Sequence, residues 1–481
     1  MDEFPGNLEV FGGAEGSDFY DGKRDHETLS LSGSVAAAMR SQLPVDDNLL
    51  EAPPRAPGLL TALRDTTFRS LKHRDYRLYF VGQIISFTGS WMQNAALMWL
   101  IFDLTRDPIW PPLLLVAQVG PTIVFGPLGG ALADRFPKRN LVRVTQTVFL
   151  LNAAMLTLVV FLGCASPWLL FSLQCVNGLV QSVDLPARLA FVPDLVPKAD
   201  LMNAVSLNSL LFNSARAAGP AFAGMLFVAA ERSAELFPGI APVLLGAAAC
   251  FLLNTLSFAA VLWALSCIRV SGTGSAQDNP GSMLEGIRYV RARPLLGAIL
   301  LLTGGLSVFG WPVISLFPAY TRVVLGLGVE HYSTLVSSLG GGALLGALLT
   351  ATFGTEARRG LFFLIGSSLA ATAVLALTLA PGLIFAAIAA ACLGAGLILF
   401  LSTGQSVMQL SASDGARGRV MALWAMTLSA SVPLGHLIAG VAAKQFSVVS
   451  VLGGMAVGSS FIVVVVVAIT LLRGWIVRET A

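Results

Sequence analysis

Long apolar segments, separated by short polar ones, fill the chain from Tyr79 to Leu472. We count twelve, and each is close to the roughly 20 apolar residues that a helix needs to cross a bilayer. Backbone inside a bilayer must satisfy its own hydrogen bonds, and these runs do not alternate as barrel strands do. The pattern therefore predicts an all-α membrane protein with twelve transmembrane helices. The predicted spans are residues 79–102, 111–132, 141–163, 167–187, 203–229, 243–267, 295–319, 332–353, 361–380, 383–405, 419–443 and 449–472.

The second six segments repeat the first six. A shift of 216 positions places Gly130 on Gly346 and Gly219 on Gly435. We therefore expect two pseudo-symmetric six-helix bundles, an arrangement typical of secondary transporters, with the substrate site where the repeats meet. The predicted domains are a disordered cytoplasmic tail (1–70), an N-terminal bundle (71–268), a cytoplasmic linker with a short amphipathic helix (269–293), a C-terminal bundle (294–473) and a cytoplasmic C-terminal tail (474–481).

Composition and charge narrow the class further. With 55% hydrophobic and 12% charged residues, a water-soluble domain is implausible. Lys and Arg are concentrated in the loops after spans 2 and 4 and in the linker, which predicts that both termini are cytoplasmic. The net charge of +3 reflects this bias and carries no nucleic-acid signal. The five cysteines have no disulfide or metal spacing, and no catalytic motif occurs, so we expect no cofactor, no metal and no enzyme activity.

A short stretch at the cytoplasmic end of span 2 combines small residues with charges. Gly130 precedes Asp134, Arg135 and Arg139. Small residues let helices approach closely, and clustered charges can pair in one conformation and separate in another. We predict a latch that holds the cytoplasmic side closed in one state. The alternative is a basic loop that only sets topology.

Polar side chains in spans 1, 4 and 5 are candidates for the substrate path. They are Gln93 and Asn94 in span 1, Asn177 in span 4 and Arg216 near mid-depth in span 5. Polar groups at this depth are costly unless they face a cavity or a partner. We predict that all four face the path, although each amide is alternatively an interhelical hydrogen bond. Arg216 has two candidate roles, binding an anionic group of the substrate or forming an ion pair.

Two residues are candidates for proton coupling, Asp184 and His436. Asp184 and Arg188 are four residues apart at the exit turn of span 4, so they can meet on one helix face. Their interaction is predicted to be either a gate contact with Asp134 or Arg135, or a simple ion pair. Histidine titrates near physiological pH, which suits His436 to a relay; a buried neutral histidine is the alternative.

Six short motifs occur in or beside the predicted spans. They are Arg74-Asp75-Tyr76-Arg77-Leu78, Gly82-Gln83, Gly89-Ser90-Trp91-Met92-Gln93, Leu185-Pro186-Ala187-Arg188, Pro193-Asp194-Leu195-Val196-Pro197 and Arg417-Gly418-Arg419-Val420. Taken together they resemble one branch of the major facilitator superfamily, the transmembrane secretion effectors, which include siderophore and macrolide exporters. The resemblance covers about Leu71 to Leu472 and implies the major facilitator fold and a bacterial inner-membrane exporter of amphipathic small molecules, driven by the proton gradient.

The resemblance also implies roles for single residues. Asp134 would face the start of helix 11 near Arg419, where a helix N-terminus favours negative charge. Gly219, Pro220 and Gly224 resemble the glycine–proline motif in helix 5 of proton-linked exporters, which favours export over import.

We therefore expect a monomeric secondary transporter that exports drugs, siderophores or other metabolites by alternating access, with protons as the coupling ion and the cytoplasmic membrane as its location. Two alternatives remain open from the sequence. One is an uptake permease of the same fold, and the other is a transporter-like membrane sensor or enzyme.

Overall fold

The computed structural model describes residues 68–237, 239–270, 283–354 and 359–472 of the chain. The predicted N-terminal tail up to residue 67, residues 271–282 of the predicted linker and the C-terminal tail lie outside the described residues. Within them the chain is helical and contains no strand. The α-helices are α1 Arg74–Thr105, α2 Trp110–Arg135, α3 Lys138–Phe161, α4 Pro167–Leu195, α5 Leu201–Arg232, α6 Pro242–Cys267, α7 Met283–Arg291, α8 Pro294–Phe309, α9 Val313–Ala319, α10 Val329–Phe353, α11 Arg359–Thr378, α12 Leu383–Leu410, α13 Asp414–Gln445 and α14 Val448–Leu472.

Nine segments among the described residues are long and apolar enough to cross a membrane. One of them, Pro294–Val324, comprises α8, α9 and the π-helical turn that follows them. The helices α1, α4 and α5 do not belong to the nine, although they contain 32, 29 and 32 residues. These three carry the polar side chains that the sequence suggested for the substrate path. The chain is a multi-pass membrane protein, and the count of twelve spans stays a prediction.

One predicted span is interrupted. The sequence predicts a continuous helix over residues 295–319, whereas α8 ends at Phe309 and α9 begins at Val313. Pro312 lies in the break; it has no N–H to continue the helical hydrogen bonds, and its ring crowds the preceding turn. Trp311, which also lies in the break, lines the cavity described below.

The packing of the helices repeats along the chain. The pairs α1–α6, α2–α4 and α3–α6 have counterparts in α8–α14, α10–α12 and α11–α14. A Cβ on Gly219 would lie 2.8 Å from the Met92 nitrogen of α1, and a Cβ on Gly435 would lie 2.8 Å from the Val308 Cα of α8. Both pairs are related by the same shift of 216 positions, and both contacts require a small residue. These pairings fit the pseudo-symmetry expected from the repeat.

Contacts between the first six helices and α8–α14 run from one end of the assembly, which we call the closed end, to the middle of α5, where a Cβ on Gly340 of α10 would lie 2.6 Å from Ala217 Cα. At the closed end Trp99 of α1 stacks on Tyr332 of α10, with ring centroids 5.4 Å apart. The helices α2 and α13 meet at the same end, where a Cβ on Gly440 would lie 3.0 Å from Pro112 Cβ. A second pair of helices, α5 and α10, packs beside them.

The opposite end, where α2 leads into α3 and α4 ends, we call the basic end. Lys138 Nζ of α3 lies 3.0 Å from Asp194 Oδ2 of α4 and ties these helices together. A Cβ on Gly126 or Gly130 of α2 would have no neighbour within 4 Å among the described residues. The tight contact of α2 with α13 at Gly440 therefore does not continue to the basic end.

A short 3-10 helix before α1 is anchored on the segment that joins α4 to α5. His73 Nε2 lies 2.7 Å from Asp200 Oδ2, and Arg69 forms an ion pair with the same carboxylate. The Ser70 backbone N–H donates to Asn203 Oδ1 at 2.9 Å. The hydrogen bond from His73 holds the pKa of Asp200 below its ordinary value of 3.8.

Candidate transport cavity

A cavity of about 320 Å³ lies between the first six helices and the segments α9, α10 and α13. Its wall is a mixture of aromatic, aliphatic and polar side chains, as is common in small-molecule sites. The aromatic lining residues are Phe87, Trp91, Phe149, Phe212, Phe258, Trp311 and Tyr332. The polar ones are Ser86, Ser90, Gln93, Asn94, Gln118, Gln146, Asn177, Gln181, Arg188, Asn254 and His436.

A larger crevice, of about 910 Å³, opens between α5 and α10. Gly224, Ser333 and Ser337 line it, with Arg232 and Glu330 among its charged residues. It draws its walls from only these two helices and the turn after α5, and it is shallower than the smaller cavity. We consider the smaller cavity the better candidate for a transport site because many helices from both parts of the chain enclose it.

Three of the four residues predicted for the substrate path line the cavity: Gln93, Asn94 and Asn177. Gln93 Oε1 accepts a hydrogen bond from Asn254 Nδ2 of α6 at 2.8 Å. One end of the Gln93 amide is thereby used for helix packing, and the other end has no hydrogen bond to a described residue. The sequence left two roles open for this amide, an interhelical hydrogen bond and a place on the substrate path. The Gln93 side chain has both, because it bonds to Asn254 and also lines the cavity.

Arg216, the fourth, does not line the cavity. It is buried behind two aromatic lining residues, with its guanidinium carbon 5.9 Å from the Trp91 ring centre and 6.0 Å from the Phe212 ring centre. Its NH2 group donates to Asn213 Oδ1 at 2.6 Å, one helix turn away. No carboxylate among the described residues pairs with it. Its guanidinium is separated from the cavity by the Trp91 and Phe212 rings.

The Asp184–Arg188 ion pair lies at the wall of the cavity. The α4 helix continues to Leu195, so Asp184 is not at the exit turn that the sequence suggested but well inside the helix. Its carboxylate is fully buried, and it accepts hydrogen bonds from Thr145 Oγ1 at 2.6 Å and Gln146 Nε2 at 2.9 Å as well as the ion pair with Arg188.

Arg188 itself reaches the cavity from this pair. Its NH1 group donates to Gln83 Oε1 at 2.9 Å, and its guanidinium carbon lies 4.7 Å from the centre of the Phe87 ring. Of the two roles left open by the sequence, the structure has the ion pair; Asp184 makes no contact with Asp134 or Arg135. Any change in the charge of Asp184 would therefore change the electrostatic energy of Arg188, a cation that faces the cavity.

His436, the second coupling candidate, also lines the cavity and is buried in α13. Its Nδ1 atom lies 3.0 Å from Ser315 Oγ of α9. Gly435, next to it, packs against Val308 and Pro312, so this segment of α13 is closely fitted to the break between α8 and α9.

The predicted latch residues lie apart from their expected partners. Asp134 and Arg135 are exposed at the basic end and have no ion pair with a described residue. Arg139 NH1 donates to the Ile268 carbonyl at 2.6 Å, at the end of α6. At the start of α13, Arg419 forms an ion pair with Glu285 of α7. The expected approach of Asp134 to α13 is absent among the described residues in this conformation.

The helix-5 residues Gly219, Pro220 and Gly224 lie at two helix contacts. Gly219 packs on α1, as described above, and a Cβ on Gly224 would lie 2.7 Å from Ser333 Cβ of α10. Pro220 is buried inside α5, which continues through it. The motif therefore lies where α5 contacts both α1 and α10.

Sequence reasoning missed several residues of the site. Thr145 and Gln146, which bind Asp184, belong to a run of three polar residues, Thr145 to Thr147, early in the apolar segment 141–163, and that run was a usable signal. Asn254 in α6 and Ser315 in α9 gave no comparable signal. Their roles depend on partners 161 and 121 residues away in the chain.

Comparison with known proteins agrees with this architecture. The profile of the transmembrane secretion effectors, a family of the major facilitator superfamily, matches residues 65–476. The chain belongs to this family. It is similar to macrolide efflux protein A of Streptococcus pyogenes, with 24% identity over 78% of this chain and 92% of that protein. It is also similar to the uncharacterized transporter YfiS of Bacillus subtilis, with 28% identity over 44% of this chain and 48% of YfiS, so it spans about half of that relative.

Among solved structures, the chain resembles a bacterial homolog of the human lysosomal transporter Spinster. The TM-score is 0.62 with 16% identity, over 84% of this chain and 98% of that one. At this identity the likeness shows the fold alone. Family and fold are those of membrane transporters.

Proposed function

We propose that the protein is a proton-coupled antiporter that exports amphipathic small molecules across the cytoplasmic membrane by alternating access. The observation that carries the proposal is the fully buried Asp184, paired with Arg188 at the wall of a cavity that both parts of the chain enclose. Similarity to macrolide efflux protein A supports export as the direction.

The architecture we propose is twelve transmembrane helices in two six-helix bundles, with α8, α9 and the π-helical turn forming the seventh span. The repeated pairings and the two contacts α5–α10 and α2–α13 support it. If the positive-inside rule fixes the orientation, the basic end and both termini are cytoplasmic. The described conformation is then one that is closed to the outside. We also propose a monomer as the working unit, because helices from both parts of this chain enclose the cavity.

Coupling would work through the charge of Asp184. A proton on this carboxylate removes the partner of Arg188, and an uncompensated cation in a membrane interior is unfavourable. The protonated protein should therefore prefer a different conformation from the ionised one. That differential preference is what an ion must have to drive alternating access.

The latch residues fit the other state of the cycle. When the basic end closes, the unoccupied surface at Gly130 would meet α13, and Asp134 would approach its N-terminus, where the helix dipole favours a carboxylate. In that state Arg135 and Arg139 supply positive charges that pair with other groups at the basic end. The latch is thus expected to form only in the outward-facing protein.

Inverted membrane vesicles give the decisive test. With a proton gradient that is acidic inside, vesicles that contain the protein should accumulate more of the neutral dye Nile red than vesicles that lack it, and a protonophore should abolish the difference. The Asp184→Asn variant should lose the part of this accumulation that depends on the proton gradient. Accumulation that ignores the protonophore would refute coupling, and gradient-driven accumulation confined to right-side-out vesicles would indicate uptake instead.

A further inference from the structure

The protonation pattern of His436 can be read from its neighbours. Ser315 Oγ lies 2.7 Å from the Pro312 carbonyl oxygen and 3.0 Å from His436 Nδ1. Two oxygens at 2.7 Å repel unless a hydrogen lies between them, so the single hydroxyl hydrogen of Ser315 points to the carbonyl. Ser315 can then only accept from His436, and the ring carries its hydrogen on Nδ1.

This tautomer leaves Nε2 as a hydrogen-bond acceptor. No carboxylate among the described residues contacts the ring, so the surroundings suit a neutral imidazole. His436 lines the cavity, and its Nε2 atom has no hydrogen bond to a described residue. The tight packing of Gly435 against Val308 and Pro312 prevents the ring from withdrawing with its helix.

The other polar lining groups are adaptable in a way that His436 is not. Gln93 has a free amide end, and Asn94, Asn177 and Gln181 also carry amides. An amide can rotate to present either its oxygen or its NH2 group. The ring of His436, by contrast, is fixed by Ser315, so it selects for a donor on the ligand.

The charged groups of the cavity wall also favour a neutral ligand over an ionised one. Among the described lining residues Arg188 is the only lysine, arginine, aspartate or glutamate, and its charge is compensated by Asp184 directly behind it. An organic anion would have to compete with that carboxylate, and an organic cation finds no carboxylate on the wall. A neutral ligand neither competes with Asp184 for Arg188 nor needs a carboxylate to balance its own charge.

We infer that the cavity binds an uncharged amphipathic molecule with a hydroxyl group, which donates a hydrogen bond to His436 Nε2 while the aromatic wall holds its apolar part. The inference rests on the proposed function, because it assigns the cargo class of the same cavity. Ser315 acts as a positioning residue that fixes the acceptor.

Nile red and its 2-hydroxy derivative form a matched probe pair, since both are neutral and they differ by one hydroxyl. The purified protein in lipid nanodiscs should bind the hydroxylated dye more tightly, by about two- to tenfold, the range for one net neutral hydrogen bond. Binding is measured by energy transfer from tryptophan to dye, with empty nanodiscs subtracted. Ethidium supplies the cationic comparison and should bind more weakly than the hydroxylated dye.

Variants of His436 test whether its ring accepts a hydrogen bond from the ligand or only supports the packing of the helices. His436→Phe keeps a ring but removes the acceptor, and the preference for the hydroxylated dye should fall to about onefold. His436→Gln places an amide oxygen near the position of Nε2 and should retain part of the preference. His331→Phe, the same exchange at a histidine beside Glu330 at the start of α10, is the control and should leave the preference unchanged.

Equal binding of the two dyes by the wild-type protein would overturn the inference, as would binding of neither or a preference that survives His436→Phe. The proposed function fails differently: selective binding without gradient-driven accumulation in vesicles would refute antiport while leaving the cargo class standing.

Discussion

The adjacent glycines Gly129 and Gly130 at the end of α2 should respond in opposite ways to the same substitution. A Cβ on Gly129 would lie 2.0 Å from the Ser182 carbonyl oxygen of α4, more than 1 Å short of the 3.4 Å at which ordinary van der Waals contact begins. The obstacle is backbone, so it cannot turn aside. A Cβ on Gly130 would meet nothing within 4 Å.

The magnitudes follow from these two environments. Gly129→Ala forces α2 and α4 apart, and overpacking of this kind costs about 1–3 kcal/mol. Gly130→Ala adds no contact in this conformation and gains roughly 0.5–1 kcal/mol because alanine loses less entropy in a helix than glycine. The two variants should therefore differ by about 2–4 kcal/mol in stability, with wild type between them.

Thermal unfolding in detergent, followed by a thiol-reactive dye or by loss of the monomer peak in size-exclusion chromatography, measures the order of the three proteins. We expect the highest midpoint for Gly130→Ala and the lowest for Gly129→Ala. Transport should show a different order, because a methyl group at position 130 obstructs the approach of α13 in the proposed outward-facing state. A Gly129→Ala protein as stable as Gly130→Ala would refute the close α2–α4 contact.

Three further predictions concern charged groups. Asp184→Asn should lower the unfolding midpoint because it leaves Arg188 in a buried site without a counter-charge, at a cost of about 3–5 kcal/mol, and the double variant with Arg188→Gln should recover part of the loss. Because the hydrogen bond from His73 lowers the pKa of Asp200, its ionised form stabilises the fold above its ordinary value of 3.8, and this contribution is lost as the pH falls through the lower folded value. Melting curves from pH 6 to pH 3 should thus show wild type and Asp200→Asn converging below about pH 4; a constant gap would contradict this. Arg216→Gln should leave the dye affinities of the cavity within about twofold, because aromatic rings separate the guanidinium from the cavity, and a larger change in the nanodisc assay would place it on the path.

Much of the fold was predictable because apolar runs of bilayer length leave a helix few alternatives. The break at Pro312 was not, since prolines elsewhere in this chain, such as Pro220 in α5, are accommodated within continuous helices. Neighbouring helices decide whether a membrane helix bends or stops at a proline. The sequence pattern around Pro312 does not contain that information.

The candidate site was predictable in composition and less so in arrangement. Polarity in an apolar run identified Gln93, Asn94 and Asn177, all of which line the cavity. The same argument selected Arg216, which lies behind the wall, because depth in the membrane does not determine the direction in which a side chain points. Helix rotation is fixed by contacts such as Gly219 on α1, and these depend on residues distant in sequence.

The low hydropathy of α1, α4 and α5 has a consequence for how the protein is made. A segment that is too polar to partition into lipid alone does not leave the translocon unaided, since polar and charged residues at a helix centre oppose insertion. Among the described helices α1 comes first in the chain and is one of these three, so we expect its stable insertion to depend on the more apolar α2 that follows it. Biogenesis would then proceed by helical hairpins, and the polarity that equips the finished protein for its cargo sets the order of its assembly.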